Sequence, residues 1–482
     1  MKKRFVLVYR FALACGPIVL AGCMVGPDYS RPVTAADTSS AYKWAGQHNQ
    51  DVNDVDTIDK WWEGFGDPTT ALLVRLALEY NYDLKAAAAR VLQAHAVLAE
   101  ARGRRLPDVS YNLSRDRSKR SFTLGSSARM SIMSTTWSQN ISVAYILDLF
   151  GKLKRTQRAA WADMFAAQAT EQALVNSIIA TVITARIDIA TLQKRLTIAK
   201  ANTQSREDTL KIVERRYRRG LVAPVDVRLA RENLQAAKTV EPGIELLLAK
   251  AHHALDVLLG QRPGEAKYLP QTLADLPNLE PVPIAVPAAL LDRRPDIQAA
   301  ELSLRAANER IGASIAQLFP DLTLTASYGA SADRWRDIWE HFAETYSVVT
   351  HLTQPIFKGG QLFAQIDAAK ARHAELAAGY AATILTAMRE VEDALASEQM
   401  LQTQLRHAQR RFSEAKAAEQ LSRQRYQRGI AGILMVLESQ RRRRIAEEEL
   451  TILNGRIWTT RVNLYLALGG DWDYESESKD KT

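Results

Sequence analysis

From Lys152 to Arg219 the chain contains neither Gly nor Pro, a run of 68 residues. The two residues that interrupt helices most readily are therefore missing. A continuous helix of that length spans roughly 100 Å at 1.5 Å per residue. No compact domain needs such a rod, so it must lie beside other helices in a coiled coil or a helical cylinder. The pattern returns from Gln361 to Arg428 with only Gly379 inside it. Gly220 and Gly429 follow the two runs, and glycine suits the left-handed residue that closes a helix.

The rods belong to a larger duplication. Arg216-Tyr217-Arg218-Arg219-Gly220 recurs as Arg425-Tyr426-Gln427-Arg428-Gly429, an offset of 209 residues. The same offset carries Leu255-Asp256-Val257-Leu258-Leu259-Gly260 onto Leu464-Tyr465-Leu466-Ala467-Leu468-Gly469. Asp83-Leu84 and Pro107-Asp108 match Asp296-Ile297 and Pro320-Asp321 at an offset of 213. One unit of about 210 residues thus occurs twice, far too long a period for a solenoid. Apolar spacing predicts a helix over 69–105, and helix resumes after each rod through 225–259 and 434–468. Pro242-Gly243 is expected to break or kink the first of these return helices.

Ahead of each rod the period switches to two. Asp108 to Ser114 and Asn140 to Leu147 alternate polar and apolar residues, as do Asp321 to Tyr328 and, more roughly, Tyr346 to Phe357. Strands are expected at about 107–117, 136–148, 319–330 and 345–357, long enough to cross a bilayer when tilted. Arg115 to Thr135 reads as a polar, basic surface loop. A second loop holds Trp335 and Trp339, as interfacial anchors or as loop packing. Four strands close no barrel, so other chains must complete it. Two chains give eight strands and three give 12, and only the larger ring leaves an open pore.

Lys2-Lys3-Arg4 followed by the apolar stretch Phe5 to Leu20 reads as a signal peptide over 1–22. It ends in Leu20-Ala21-Gly22-Cys23, which resembles a bacterial lipoprotein box. Cys23 is then the first mature residue, carrying S-diacylglycerol and an N-acyl chain. The other Cys, Cys15, lies in the signal, so the mature chain forms no internal disulfide. Met24 in place of Asp favours the outer membrane by resemblance to other lipoproteins. Four basic residues in the signal reduce the net charge of +9 to +5. The rest are interleaved with acids along helices, which argues against nucleic-acid binding. The eight His are scattered, and no metal, nucleotide or nucleophile motif occurs, so no enzyme activity and no cofactor beyond the lipid is expected.

Several motifs together resemble one family. They are Cys23-Met24-Val25-Gly26-Pro27-Asp28-Tyr29 with Arg31-Pro32, Trp61-Trp62 with Phe65-Gly66-Asp67-Pro68, and Arg293-Arg294-Pro295-Asp296-Ile297. Ala307-Asn308, Ile311-Gly312 and Phe319-Pro320 extend the match, as do Asp148 to Leu153 and Pro355 to Gly360. The chain resembles the TolC-like outer-membrane factors in their lipoprotein, NodT-type branch.

That resemblance implies a membrane β-barrel joined to a long α-helical barrel, with two tandem repeats and four strands per protomer. It implies a homotrimer with a 12-stranded barrel, lipid-anchored in the outer membrane and reaching into the periplasm. The activity implied is passive conduction of drugs or other small molecules, as exit duct of a tripartite efflux pump. The partners implied are a periplasmic adaptor protein and an inner-membrane pump, chiefly of RND type. Adaptor docking is carried over to the helix tips Arg219, Gly220, Leu221, Val222 and Arg428, Gly429, Ile430, Ala431. A periplasmic gate is carried over to Leu434, Glu438 and Arg441. The family usually has Asp where Glu438 stands, and relatives with a second acid one turn earlier have Met435 here. A duct of a type I-like secretion system and a periplasmic coiled-coil scaffold are the alternatives. The scaffold leaves the four strands unexplained. The expected division is 1–22 signal, 23–60 tether, 61–260 first repeat, 261–290 Pro-rich linker, 291–470 second repeat and 471–482 tail.

Overall fold

The computed structural model describes residues 24–39, 41–45, 61–63, 67–124, 128–264 and 290–470. Cys23, the signal peptide, the C-terminal tail, most of the expected linker and the later part of the expected tether, from 46 to 60, lie outside them. The main helices are α1 (Pro68–Tyr80), α2 (Tyr82–Gly103), α3 (Lys152–Arg218), α4 (Pro224–Leu258), α5 (Pro295–Ala316), α6 (Gln361–Gln427) and α7 (Ile433–Ala467). The strands are β1 (Asp108–Leu124), β2 (Ala128–Leu147), β3 (Asp321–Ala332) and β4 (Glu344–Thr353). Helix, strand pair, rod and return helix follow in the same order in both halves. The chain divides into two compact units.

The first unit combines residues up to Pro32 with 90–168 and 299–380. Its four strands form one antiparallel sheet in the order β1-β2-β3-β4. The register is informative. Ser110, Ser142, Ser327 and Ser347 make one row across all four strands. On the opposite face Tyr111, Ile141, Tyr328 and Tyr346 make another, and Val109, Val143, Ala326 and Val348 a third. Side chains alternate between faces along a strand, so across these rows one face is polar and the other apolar. Hydroxyls and amides on the polar face join one another, as in Ser110–Ser142 at 2.8 Å and Asn112–Asn140 at 3.2 Å.

The hairpin corrects the expected loop. β1 and β2 pair through all 17 residues of β1, so most of Arg115–Thr135 is strand rather than loop. There Ser, Thr and basic residues occupy both faces, and the few apolar ones, such as Ile132 and Met133, stand next to each other, so the alternation is hidden from a hydrophobic count. Between β3 and β4, Trp335 packs against Trp137 at 5.0 Å, while Trp339 remains exposed. β4 ends at Thr353, short of the expected 357.

Residues 25–28 are seated in the same unit. Arg155 is fully buried. It donates to the carbonyls of Pro27 and Gly26 (3.0 and 3.1 Å) and to Glu309 (3.0 Å). Asn308 donates to the Pro27 carbonyl, and Val25 N–H to the Phe150 carbonyl. Gly26 has φ +97°, and a Cβ on it would stand 2.6 Å from the Gly312 Cα. A Cβ on Gly312 would in turn stand 2.7 Å from the Arg155 Nε, so the two glycines leave room for the crossing and for the buried guanidinium.

The second unit comprises 33–89, 169–298 and 381–482. Its core joins Trp61, Trp62, Leu73, Ile179, Ile183, Ile187, Leu255 and Val462. Among the described residues one helix, α3, contains a stretch long and apolar enough to cross a membrane. That stretch is packed in this core, where buried Arg186 pairs with Asp67 at 3.4 Å. Asp67 also caps α1, accepting from Thr69 N–H and the Thr70 hydroxyl, with Pro68 in the first turn where its missing N–H costs nothing.

Each repeat closes on itself by the same contact made with different chemistry. Asn81 donates to the Leu258 carbonyl at 2.9 Å, while Arg294 donates to the Ala467 carbonyl at 3.0 Å. Arg294 also holds Asp296 (2.7 Å) and Glu390 (2.8 Å). Of the break or kink expected at Pro242-Gly243, the break does not occur. α4 continues through both residues, so Pro242 removes one hydrogen bond without ending the helix.

Candidate functional site

The helix tips carry the candidate site. α3 ends with Gly220 at φ +68° and α6 with Gly429 at φ +77°. Both turns have the same hydrogen bonds. Gly220 N–H reaches the Tyr217 carbonyl and Leu221 N–H the Arg216 carbonyl. Gly429 and Ile430 repeat this onto Tyr426 and Arg425. This is the Schellman closure, which satisfies the last helical carbonyls and needs a left-handed residue. It leaves Leu221 and Ile430 exposed at the two rims. Arg219, Val222, Arg428 and Ala431 flank them in the same two turns.

The helices meet behind the turns in a small apolar cluster of Val213, Val227, Ala230, Tyr426, Ile433, Val436 and Leu437. Arg216 lies over the Tyr426 ring at 4.8 Å and donates to the Tyr426 carbonyl at 2.8 Å. Burial pushes the Tyr426 phenol up. Sequence reading missed this tie. Its only signal was that the partners are the Arg and the Tyr of the same repeated motif, one from each copy.

Leu434, Glu438 and Arg441 project from α7, Leu434 and Arg441 exposed and Glu438 half-buried. Glu438 and Arg441 come together as the i, i+3 spacing allows. Arg441 donates twice to the Glu438 carboxylate, each at 2.8 Å. Arg442, one position on, adds a third bond at 2.7 Å. The hydrogen bonds from Arg441 and then Arg442 hold the Glu438 carboxyl down to about 2. A depressed carboxyl stabilises its paired form fully above the ordinary value near 4.5 and loses that contribution as pH falls toward 2. The cluster therefore stays ionised at neutral and mildly acidic pH.

The other face of α7 is fixed. Gln440 donates to the hydroxyls of Ser205 (3.2 Å) and Thr209 (3.0 Å). Arg443 binds Glu419 and Glu447, and Arg195 binds Glu448 at 2.6 Å. The gate candidates thus stand on a helix locked from behind, free on the side that carries them. No group of three or more metal-ligating side chains occurs among the described residues.

Residues 73–261 and 286–470 match the outer membrane efflux protein family, one match to each copy of the repeat. A probable efflux pump outer membrane protein, SepC of Pseudomonas putida, is 30% identical over 466 residues, covering 95% of each chain. Outer membrane protein OprJ of Pseudomonas aeruginosa is 30% identical over 462 residues, covering 95% of this chain and 94% of its own. Among solved structures, the outer-membrane channel OprN gives a TM-score of 0.86 at 30% identity, over 93% of this chain and all of its own. The open state of the MtrE outer membrane channel of Neisseria gonorrhoeae gives 0.79 at 26% identity, over 93% of this chain and 98% of its own. The fold is that of the TolC-like channels, and the chain belongs to the outer membrane efflux protein family: it is an outer-membrane channel of efflux pumps.

Proposed function

We propose that three copies of this chain form the exit duct of a tripartite pump, a 12-stranded barrel continued by a helical tunnel. The observation that carries this reading is the sheet. It has two open edges, β1 and β4, and an exposed apolar face bearing Val109, Tyr111, Tyr346, Val348 and Leu352. Open edges do not persist in lipid, where every backbone group needs a partner. Pairing β4 of one copy with β1 of the next removes the edges and turns the apolar face outward. The polar face then lines the lumen.

Solutes move passively, driven by an inner-membrane pump, chiefly of the RND class. A periplasmic adaptor seats on the exposed turns at Gly220 and Gly429. Glu438 with its arginines, under the apolar Leu434, forms the constriction at the tip. Lipid on Cys23 anchors the chain, and the Arg155 seat fixes the residues that follow it. The test is electrophoresis of detergent-solubilised protein with and without boiling, paired with conductance in planar bilayers. A heat-labile trimer that conducts is expected. A monomer at all temperatures, or a trimer with no conductance, overturns the reading.

A further inference from the structure

The β1–β2 hairpin outruns the sheet. Pairing of β2 with β3 stops at Trp137↔Ala332, whereas β1 and β2 stay paired to Leu124↔Ala128. Beyond Arg115↔Trp137 the two strands are therefore a free ribbon, on the side of the sheet away from the helices. The face periodicity runs on without a slip. Val109, Tyr111 and Leu113 lie on the apolar face, and the next three residues of that face are Arg115, Arg117 and Lys119. The change from apolar to cationic falls at Trp137, whose ring lies 5.2 Å from the Arg115 guanidinium. All three cations are exposed, and the ion pairs among the described residues include none of them. The one acid among the described residues of the ribbon itself, Asp116, alternates onto the other face.

We propose that Arg115, Arg117 and Lys119 bind the phosphate-bearing lipid headgroups of the outer leaflet. This rests on the barrel reading, which turns that face toward lipid. Directly above an apolar band, an aromatic ring marks the level of the headgroups. Fixed cations at that height meet anionic phosphates, and guanidinium groups match phosphate oxygens in pairs. A solvated ribbon has no reason to keep its cations on the row that continues the lipid face. The opposite row, carrying Asp116, Ser118 and Arg120, has mixed charge.

Native mass spectrometry of the purified full-length oligomer tests this, counting bound lipid A bisphosphate against its dephosphorylated form. The wild type is expected to retain the phosphorylated form preferentially. Arg115→Gln/Arg117→Gln/Lys119→Gln is expected to lower retention about 100-fold, at roughly five-fold per cation near an anionic surface. Arg120→Gln is expected to retain it as the wild type does. Equal retention of both lipids by the wild type overturns the proposal without any variant. So does a loss in Arg120→Gln as large as in the triple variant. Heat-labile migration of each sample is read in parallel. A wild type that forms no oligomer sinks the barrel reading instead, whereas an intact triple variant with unchanged lipid sinks only this one.

Discussion

The two helix tips have one backbone and two chemistries. Gly220 and Gly429 close their rods with the same hydrogen bonds, yet Arg216 is tied to Tyr426 while the equivalent Arg425 and Tyr217 are exposed. Past the turn, the first copy has Val225, Leu229 and Glu232 where the second has Leu434, Glu438 and Arg441. The acid of the first copy, Asp226, accepts from Ala223 N–H and serves as a helix cap. The acid of the second is spent on two arginines. Duplication preserved what closes a helix and released what faces outward. A backbone turn tolerates few residue types, while an exposed face tolerates many.

The largest expected effect tests the paired closures at the far ends of the return helices, at Leu258 and Ala467. Arg294→Ala leaves Asp296 and Glu390 without their buried cation and is expected to cost about 3 kcal/mol. Asn81→Ala, in the first copy, loses one neutral bond to a carbonyl and a helix cap, for about 1–2 kcal/mol. Chemical denaturation of the purified protein measures both, and equal costs would erase the contrast. Next is the tip tie. Arg216→Ala is expected to lose about 1–2 kcal/mol from its ring contact and carbonyl bond. Arg425→Ala is expected to lose less than about 0.5 kcal/mol in the separated chain, as an exposed substitution does. A shift of stability in trimer but not monomer would show that Arg425 finds its partner on a neighbouring copy.

Gly220→Ala and Gly429→Ala are each expected to cost about 1 kcal/mol, because both place a Cβ in the left-handed region with no clash beyond it. Unequal costs would show that the turns differ in more than side chains. The smallest effect is at the gate. Glu438→Gln is expected to raise resting conductance in planar bilayers by a few-fold, in keeping with an exposed ion pair. Leu229→Gln in the first copy is expected to change nothing. Conductance of the wild type is expected to stay level from pH 7 through mildly acidic pH and to rise only as pH approaches about 2, where the paired carboxyl protonates in the folded channel.

The rods were legible because Gly and Pro are absent for long stretches and return at the stops. The strands were legible only where apolar residues alternate with polar ones, so the ribbon of Arg, Ser and Thr beyond Arg115 went unread. The gate candidates Glu438 and Arg441 came from the family resemblance, whose pattern fits i, i+3 spacing on a helix, and Arg442 was available by the same rule at i+4. The rest was out of reach. Arg155 with Glu309, and Gln440 with Ser205, are distant in sequence and meet only after the helices pack. The motif Gly26-Pro27 was visible as a pattern, yet its reason, the absence of a Cβ at both Gly26 and Gly312, exists only in three dimensions.

The row of Ser110, Ser142, Ser327 and Ser347 has a further consequence. A conduit walled by short uncharged alcohols offers a passing molecule many weak, interchangeable holds and no deep one. Anionic, cationic and neutral cargo would slide over it at comparable speed. Discrimination would then fall to whatever loads the duct, and its own wall could stay unchanged while the cargo changes.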